Sequence, residues 1–138
     1  MIVDLNHFKT ATAMMTVSHY HEDYTDQDIR NFIEPPLSLG NYLIIQDEDD
    51  FPFVFATWAF PEMHHIDEYV RTNRFPPAGF RGCGNSPWII DFIAFGGFQS
   101  IKAGFRYLKD TFIEMGYSDC YWLRTETGKI GFHALKEN

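Results

Sequence analysis

The segment from Pro87 to Ala94 places the strongest constraint on how this sequence can fold. It reads Pro-Trp-Ile-Ile-Asp-Phe-Ile-Ala, an apolar run that only Asp91 interrupts. A short apolar run rich in β-branched and aromatic residues is typical of a strand covered on both faces. Gly96-Gly97 follows, and apolar residues then recur every three or four positions as far as Met115, with Gly116 as a stop. The sequence predicts a central strand that a tight turn joins to a long helix.

Shorter elements are predicted on either side of this unit. Asn6 is a predicted N-cap for a helix that ends at Val17. Thr25 and Asp28 resemble a capping box for a second helix over about 26–34, which Pro35-Pro36 would end. The remaining patterns predict an antiparallel hairpin over 42–46 and 53–60 and a third helix over 62–71. They also predict a long loop over 72–86 and a closing pair of strands over 120–124 and 130–135.

These elements predict an α+β fold with a largely antiparallel sheet. The chain has 138 residues, which suits a single domain over 1–138 with one core. Hydrophobic residues make up 45% of the sequence, enough to offset the chain entropy that folding removes. A disordered or collagen-like chain is therefore excluded.

The net charge argues against a nucleic-acid partner. Eleven basic residues against 19 acidic ones give −8, which disfavours general affinity for phosphate backbones. The charge is uneven, since residues 98–138 carry six basic and five acidic side chains, and any acidic partner should prefer that third. Neither a signal peptide nor an apolar membrane span is recognisable, so a soluble cytoplasmic protein is expected.

Asp91 is a candidate functional residue because a carboxylate within an apolar strand is costly to desolvate without partners. In one interpretation its side chain caps a loop or pairs with an arginine such as Arg74 or Arg81. In the other it holds an imidazole in one tautomer and orientation, as the acid of a base dyad does. Spacing alone leaves both interpretations open.

Six histidines and two cysteines are further candidates for metal ligands or nucleophiles. The His19-x-His21 spacing and the His64-His65 pair suggest zinc, but no cysteine cluster or HExxH pattern supports a metal site. His7, His64, His65 and His133 are expected to be solvated surface residues. Cys83 and Cys120 lack CxxC spacing and are expected to be free thiols with a packing role. A GxSxG elbow is also missing, which disfavours a serine hydrolase.

Several motifs in order along the chain resemble the toxin-activating lysine acyltransferases, the family of the proteins that activate RTX toxins. The resemblance spans roughly residues 14–134 and combines a Ser-x-x-His motif, a hairpin whose second strand ends in Trp-Ala, and an aromatic strand that carries one Asp. The matching segments are 18–21, 41–45, 51–59 and 88–96.

The resemblance implies a fold like that of the Gcn5-related N-acetyltransferases and transfer of a fatty acyl group to a lysine ε-amine. The catalytic histidine of the family falls on His21, its aspartate on Asp91 and its serine on Ser18. A histidine titrates near neutral pH, as the general base that deprotonates a lysine must. An acyl-imidazole intermediate on His21 is a competing mechanism that the sequence leaves open.

The donor implied by the resemblance is acyl carrier protein, which carries the acyl group as a 4'-phosphopantetheine thioester, with no tightly bound cofactor or metal. Gly96 and Gly97 would receive the pantetheine arm. Backbone amides along the strand near Asp91, those of Ile93 and Ala94, would polarise the thioester carbonyl. The basic residues of the following helix form an expected docking stripe for the acidic carrier protein: Lys102, Arg106 and Lys109.

The expected acceptor is a lysine-bearing target protein, with an RTX toxin as one candidate, and a homodimer is expected from the resemblance alone. Two alternatives remain on the same fold. One is an acetyl-CoA-dependent N-acetyltransferase, which the absence of the fuller Gln/Arg-x-x-Gly-x-Gly/Ala pattern disfavours. The other is a non-catalytic binding protein that uses its acidic surface.

Overall fold

The computed structural model describes residues 5–17, 25–124 and 127–135. Within these residues the elements are five α-helices, one 3-10 helix and five strands, and the strands form one sheet in the order β1-β2-β3-β4-β5. The predicted α+β class with a largely antiparallel sheet is confirmed, and it is consistent with a fold like that of the Gcn5-related N-acetyltransferases. Two compact units divide the chain: 1–57 with 91–104, and 58–90 with 105–138.

The first unit begins with three helices, α1 (Leu5–Val17), α2 (Asp26–Phe32) and α3 (Glu34–Leu39). The predicted N-cap at Asn6 is wrong, because Asn6 lies inside α1. The predicted capping box is confirmed: the Thr25 hydroxyl accepts the Asp28 N–H at 3.2 Å, and the Asp28 carboxylate accepts the Thr25 N–H at 2.9 Å.

The sequence predicted that Pro35 and Pro36 end the second helix. In the structure they lie in the first turn of a further helix, α3. The first turn of a helix has no intrahelical acceptor for its N–H groups, so a proline there loses no hydrogen bond. Gly40, with φ of 75°, ends α3 instead. The helices cover one core cluster with the strands of this unit: Ala11, Met14, Met15, Ile33, Leu37, Phe55 and Ile93.

The predicted hairpin is confirmed as β1 (Tyr42–Gln46) and β2 (Pro52–Ala59), which pair antiparallel with Tyr42 opposite Thr57. The acidic run Asp47–Asp50 makes the turn. The Asp47 carboxylate stabilises it by accepting the N–H groups of Asp49 and Phe51 at 2.9 and 3.0 Å.

The central strand β3 (Trp88–Ala94) and the long helix α5 (Phe98–Glu114) also lie where the sequence predicts them. Gly96 and Gly97 have φ of 102° and 83°, which only glycine adopts without strain. In the first unit α5 approaches the sheet closely at Gly104. A Cβ at that position would lie 2.6 Å from the Phe92 ring and 3.1 Å from Val54 Cγ1. The missing side chain is therefore what allows α5 to lie so close to β3.

The second unit contains α4 (Met63–Thr72), a 3-10 helix (Pro77–Arg81), β4 (Asp119–Arg124) and β5 (Lys129–Ala134). β4 pairs antiparallel with β5, and it is the parallel neighbour of β3 through Trp88–Tyr121 and Ile89–Trp122. Trp58 and Phe112 meet edge to face with their ring centroids 5.3 Å apart.

The region 72–86 is more regular than the long loop that the sequence predicted. Phe75 and Phe80 are buried, their ring centroids lie 4.9 Å apart, and Phe75 also contacts Tyr69 of α4. These aromatic contacts hold the 3-10 helix against α4. The lack of periodicity in 72–86 correctly indicated that no long helix or strand forms there. It did not mean that the side chains of this region are unpacked.

Among the residues that the structure describes, no helix combines the length and the apolar character that crossing a membrane requires.

We expect Gly104→Ala to lower the free energy of unfolding. A methyl group at this position collides with the Phe92 ring, and overpacking of this kind costs about 1–3 kcal/mol, more than the ~1 kcal/mol that alanine gains over glycine in a helix. Denaturant unfolding measures the difference. In the double variant Gly104→Ala/Phe92→Leu, removal of the ring should recover part of the loss. An alanine variant more stable than the wild type would contradict the close approach.

Candidate active site

Asp91 lies in the middle of β3 and is half-buried. Its backbone N–H donates to the Thr57 hydroxyl at 3.2 Å, and Thr57 is fully buried on β2. This bond satisfies a polar side chain that the core would otherwise leave without a partner, and it fixes the backbone that carries the carboxylate. Partial exposure also spares Asp91 the full desolvation cost that its apolar neighbours in sequence suggested.

The same bond bears on the predicted role of backbone amides near Asp91. The Asp91 N–H is committed to Thr57, and the Phe95 N–H donates to the Phe53 carbonyl at 2.8 Å. Neither amide is available to polarise a thioester. The Ile93 side chain is buried in the core of the first unit, so any contact of Ile93 with a donor would be made by its main chain, whereas Ala94 is half-buried.

Gly96 and Gly97 form an exposed turn directly before α5. The Gly97 carbonyl accepts the N–H groups of Ser100 and Ile101 at 3.1 and 3.2 Å, which starts the helical hydrogen-bond pattern. The first N–H groups of a helix have no intrahelical acceptor, and the helix dipole makes this end partly positive. The glycines add no side chain of their own to this turn, and the Ser100 hydroxyl lies beside Gly96, so this helix end can accept a negatively charged or carbonyl group.

The predicted basic stripe lies on α5 and is open to solvent. Lys102 and Arg106 are exposed and Lys109 is half-buried. The spacing of four and three residues places them on one face of the helix. The Lys102 ammonium lies 5.6 Å from the centroid of the Phe98 ring, a cation–π contact that restrains its direction near the start of α5.

Ser18 and His21, which the sequence predicts as partners of Asp91, lie outside the described residues, as does His19. The described part of the chain therefore shows the acid, the glycine turn and the basic stripe of the predicted site. The approach of the His21 imidazole to Asp91 stays a prediction.

The remaining histidines have structural or surface positions. His7 is exposed and forms a hydrogen bond with the Tyr42 hydroxyl, and His64 and His133 are exposed. His65 is half-buried, and its Nδ1 accepts the Glu62 N–H at 3.1 Å, which caps the start of α4. Ligand atoms of Glu62, His64 and His65 lie within 4.8 Å of one another. A helix cap accounts for part of this cluster, and the partly positive N-terminal end of α4 disfavours a cation there.

The two cysteines are free thiols, as the sequence predicts, but only Cys120 has a packing role. Cys83 is exposed, so the prediction that it packs is wrong. Burial, with the nearby Asp119 carboxylate as a second cause, raises the pKa of Cys120 from 9.0 to about 11. A thiol that stays protonated at neutral pH is a poor nucleophile, so Cys120 is unsuited to covalent catalysis.

The second unit contains a cavity that sequence reasoning missed. Its volume is about 730 Å³, and its walls come from α4, the segment 84–86 and the strands β3, β4 and β5. The apolar spacing of Met63, Ile66 and Val70 predicted a helix over 62–71. In the structure this helix leaves Met63 and Val70 exposed, by 70% and 40%. The sequence shows that one face of this helix is apolar, but not how much of that face is covered. Only the exposure of the side chains in the folded structure reveals the cavity.

Residues 4–123 match the model of the RTX toxin acyltransferase family (HlyC). The match covers most of the chain and includes every residue of the predicted site. A search of curated proteins finds no match to this chain.

We expect one thiol of the native protein to react with Ellman's reagent and the second to react only after unfolding. Cys83 is exposed, whereas Cys120 is buried and its pKa is raised to about 11, so little thiolate forms at pH 8. The measurement is thiol absorbance with and without denaturant. Cys83→Ser should remove the fast reaction and keep the slow one. Two fast thiols in the native wild type would contradict the burial of Cys120.

Proposed function

We propose that this chain, which belongs to the RTX toxin acyltransferase family and is therefore an acyltransferase, transfers a fatty acyl group from acyl carrier protein to a lysine ε-amine of a target protein. The family match over residues 4–123 is the observation that carries this proposal. An RTX toxin is the proposed target, because activation of such toxins is the role of the family.

In the proposed reaction His21 is the general base and Asp91 orients its imidazole. The lysine ammonium loses one proton to His21, which releases it to water, and the neutral nitrogen forms a bond to the thioester carbonyl carbon. The nitrogen then gives a second proton to His21, the carbon–sulfur bond breaks, and His21 passes this proton to the leaving thiolate. Imidazole suits this task because its ordinary pKa lies close to neutral pH. Ser18, on which the serine of the family falls, is proposed to belong to the same site.

The position of Asp91 supports its orienting role. Asp91 is only half-buried on β3, which leaves it accessible to an imidazole, and the Thr57 hydroxyl anchors the backbone at this residue. A fixed acid holds an imidazole in one tautomer and stabilises the imidazolium that forms when it takes a proton.

Two features of α5 support an acyl carrier protein as the donor. The exposed Gly96-Gly97 turn offers room for the pantetheine arm at the partly positive end of α5. Lys102, Arg106 and Lys109 then give one face of α5 a positive charge in a protein whose net charge is −8. Acyl carrier proteins are acidic, so this face is the surface that complements them.

We expect His21→Ala and Asp91→Ala each to lower lysine acylation by about two orders of magnitude or more, because proton removal then lacks its base or the group that orients it. Intact-mass spectrometry of the target, with acyl carrier protein loaded with a fatty acyl group as donor, measures the rate. His133→Ala and Asp49→Ala remove the same groups from exposed positions and should keep wild-type rates. Full activity in both site variants would exclude the proposed roles, whereas an acyl adduct on His21 would favour the acyl-imidazole mechanism.

We expect the double variant Lys102→Glu/Arg106→Glu to lower kcat/KM for the carrier-bound donor about tenfold at low salt, mainly through KM, since both charges now repel an acidic carrier. Transfer from acyl-pantetheine, which lacks the carrier protein, should change little. Lys9→Glu, a charge reversal at an exposed site on α1, is the matched control. Equal losses with both donors would contradict the docking role and indicate a structural defect.

A further inference from the structure

One wall of the cavity in the second unit is formed by α4 and its N-cap residue, Glu62. The lining residues here are three adjacent pairs along the chain: Glu62, Met63, Ile66, Asp67, Val70 and Arg71. At the rise of an α-helix this stretch is roughly 13 Å long. The volume of about 730 Å³ lies within the range usual for small-molecule sites. The length of this wall and the volume of the cavity leave room for a long, narrow ligand.

The opposite wall is an aromatic surface on the sheet. Trp88 and Tyr121 stack with their ring centroids 5.3 Å apart and their planes 17° from parallel, and Tyr121 also contacts Phe132. Ile130 extends the apolar surface to the edge strand and is 49% exposed. Flat aromatic rings on one side and flexible aliphatic side chains on the other form a slot with apolar walls.

The polar groups of the lining are mostly engaged or at its rim. The Ser86 hydroxyl donates to Asp119 at 2.8 Å, and the Tyr121 hydroxyl donates to the same carboxylate at 3.2 Å. Burial, the negative charge of Asp119 and this hydrogen bond raise the pKa of Tyr121 above its usual value of 10.0. The charged residues Glu62, Asp67 and Arg71 are exposed, where a polar end of a ligand would meet water.

We propose that this cavity binds a linear hydrocarbon chain, either the acyl chain of the donor or that of a free fatty acid; the first source rests on the proposed function. A polypeptide segment is the less suitable occupant, because it brings an N–H and a C=O at each residue, and the Ser86 and Tyr121 hydroxyls already donate to Asp119 and have no hydrogen left for a backbone carbonyl. A hydrocarbon chain needs no polar partner, and each buried methylene should strengthen binding about fourfold.

Titration calorimetry of the full chain with octanoic, decanoic and dodecanoic acid tests the binding site. Affinity should rise about fourfold for each added methylene until the cavity is full. Val70→Trp puts a large ring at the cavity wall and should weaken dodecanoic acid binding at least tenfold. Met115→Trp makes a similar change at a residue outside the lining with 47% exposure, close to the 40% of Val70, and should leave binding unchanged. Circular dichroism establishes that both variants fold. If Val70→Trp does not fold, Ile66→Ala, which enlarges the slot, takes its place as the cavity variant.

Acyl transfer from carrier proteins loaded with octanoyl and hexadecanoyl groups distinguishes the two sources of the chain. If the donor chain occupies the cavity, Val70→Trp lowers the preference for the hexadecanoyl donor at least tenfold and leaves octanoyl transfer unchanged. If dodecanoic acid binding falls but the preference does not, the occupant is a free fatty acid. A wild type that binds fatty acids yet transfers no acyl group would overturn the proposed function and support this site.

The proposal is overturned if the wild type binds none of the three fatty acids and Val70→Trp leaves donor preference unchanged. It is also overturned if the variant raises only the KM for the target protein, since the cavity would then hold a polypeptide.

Discussion

The close approach of α5 to the sheet at Gly104 governs the geometry of the first unit. With no side chain at this position, the Phe92 ring and Val54 fill the space where a Cβ would lie. The contact sets the distance between β3 and the start of α5, and the left-handed turn at Gly96-Gly97 spans that distance in two residues. The turn leaves the start of α5 exposed, and the contact with the Phe98 ring restrains the direction of Lys102.

A second constraint is the hydroxyl of Thr57, a polar side chain at the centre of β2 with no exposure to solvent. A buried hydroxyl is costly unless it has a partner, and the Asp91 N–H provides one. Structural stability and the position of the proposed catalytic acid therefore rest on the same bond. The second unit has a comparable arrangement in Asp119, which accepts from Ser86 and Tyr121 and so withdraws both hydroxyls from the cavity that they line.

The elements with a strong periodic pattern were predictable, and those that depend on context were not. The sequence located α5, β3 and both hairpins to within a residue or two, since their apolar spacing and turn residues agree with one another. It misjudged Pro35-Pro36, because a proline that ends one helix is equally suited to the first turn of another. It also predicted a long loop for the region 72–86. In the structure Phe75 packs against α4 and Phe80 packs against Phe75, although their positions in the sequence follow no periodic spacing.

The sequence by itself determined the family, the class of reaction and the candidate residues, because a catalytic motif depends on residue types in a fixed order and both are readable in one dimension. Only the tertiary structure decided that Thr57 anchors Asp91, that Cys120 is held as a protonated thiol, and that α4 stands away from Trp88 and Tyr121 to leave a slot. The spacing of apolar residues records which face of a helix is apolar. How closely another element approaches that face depends on side chains far away in the chain, and so it emerges only when the chain is folded.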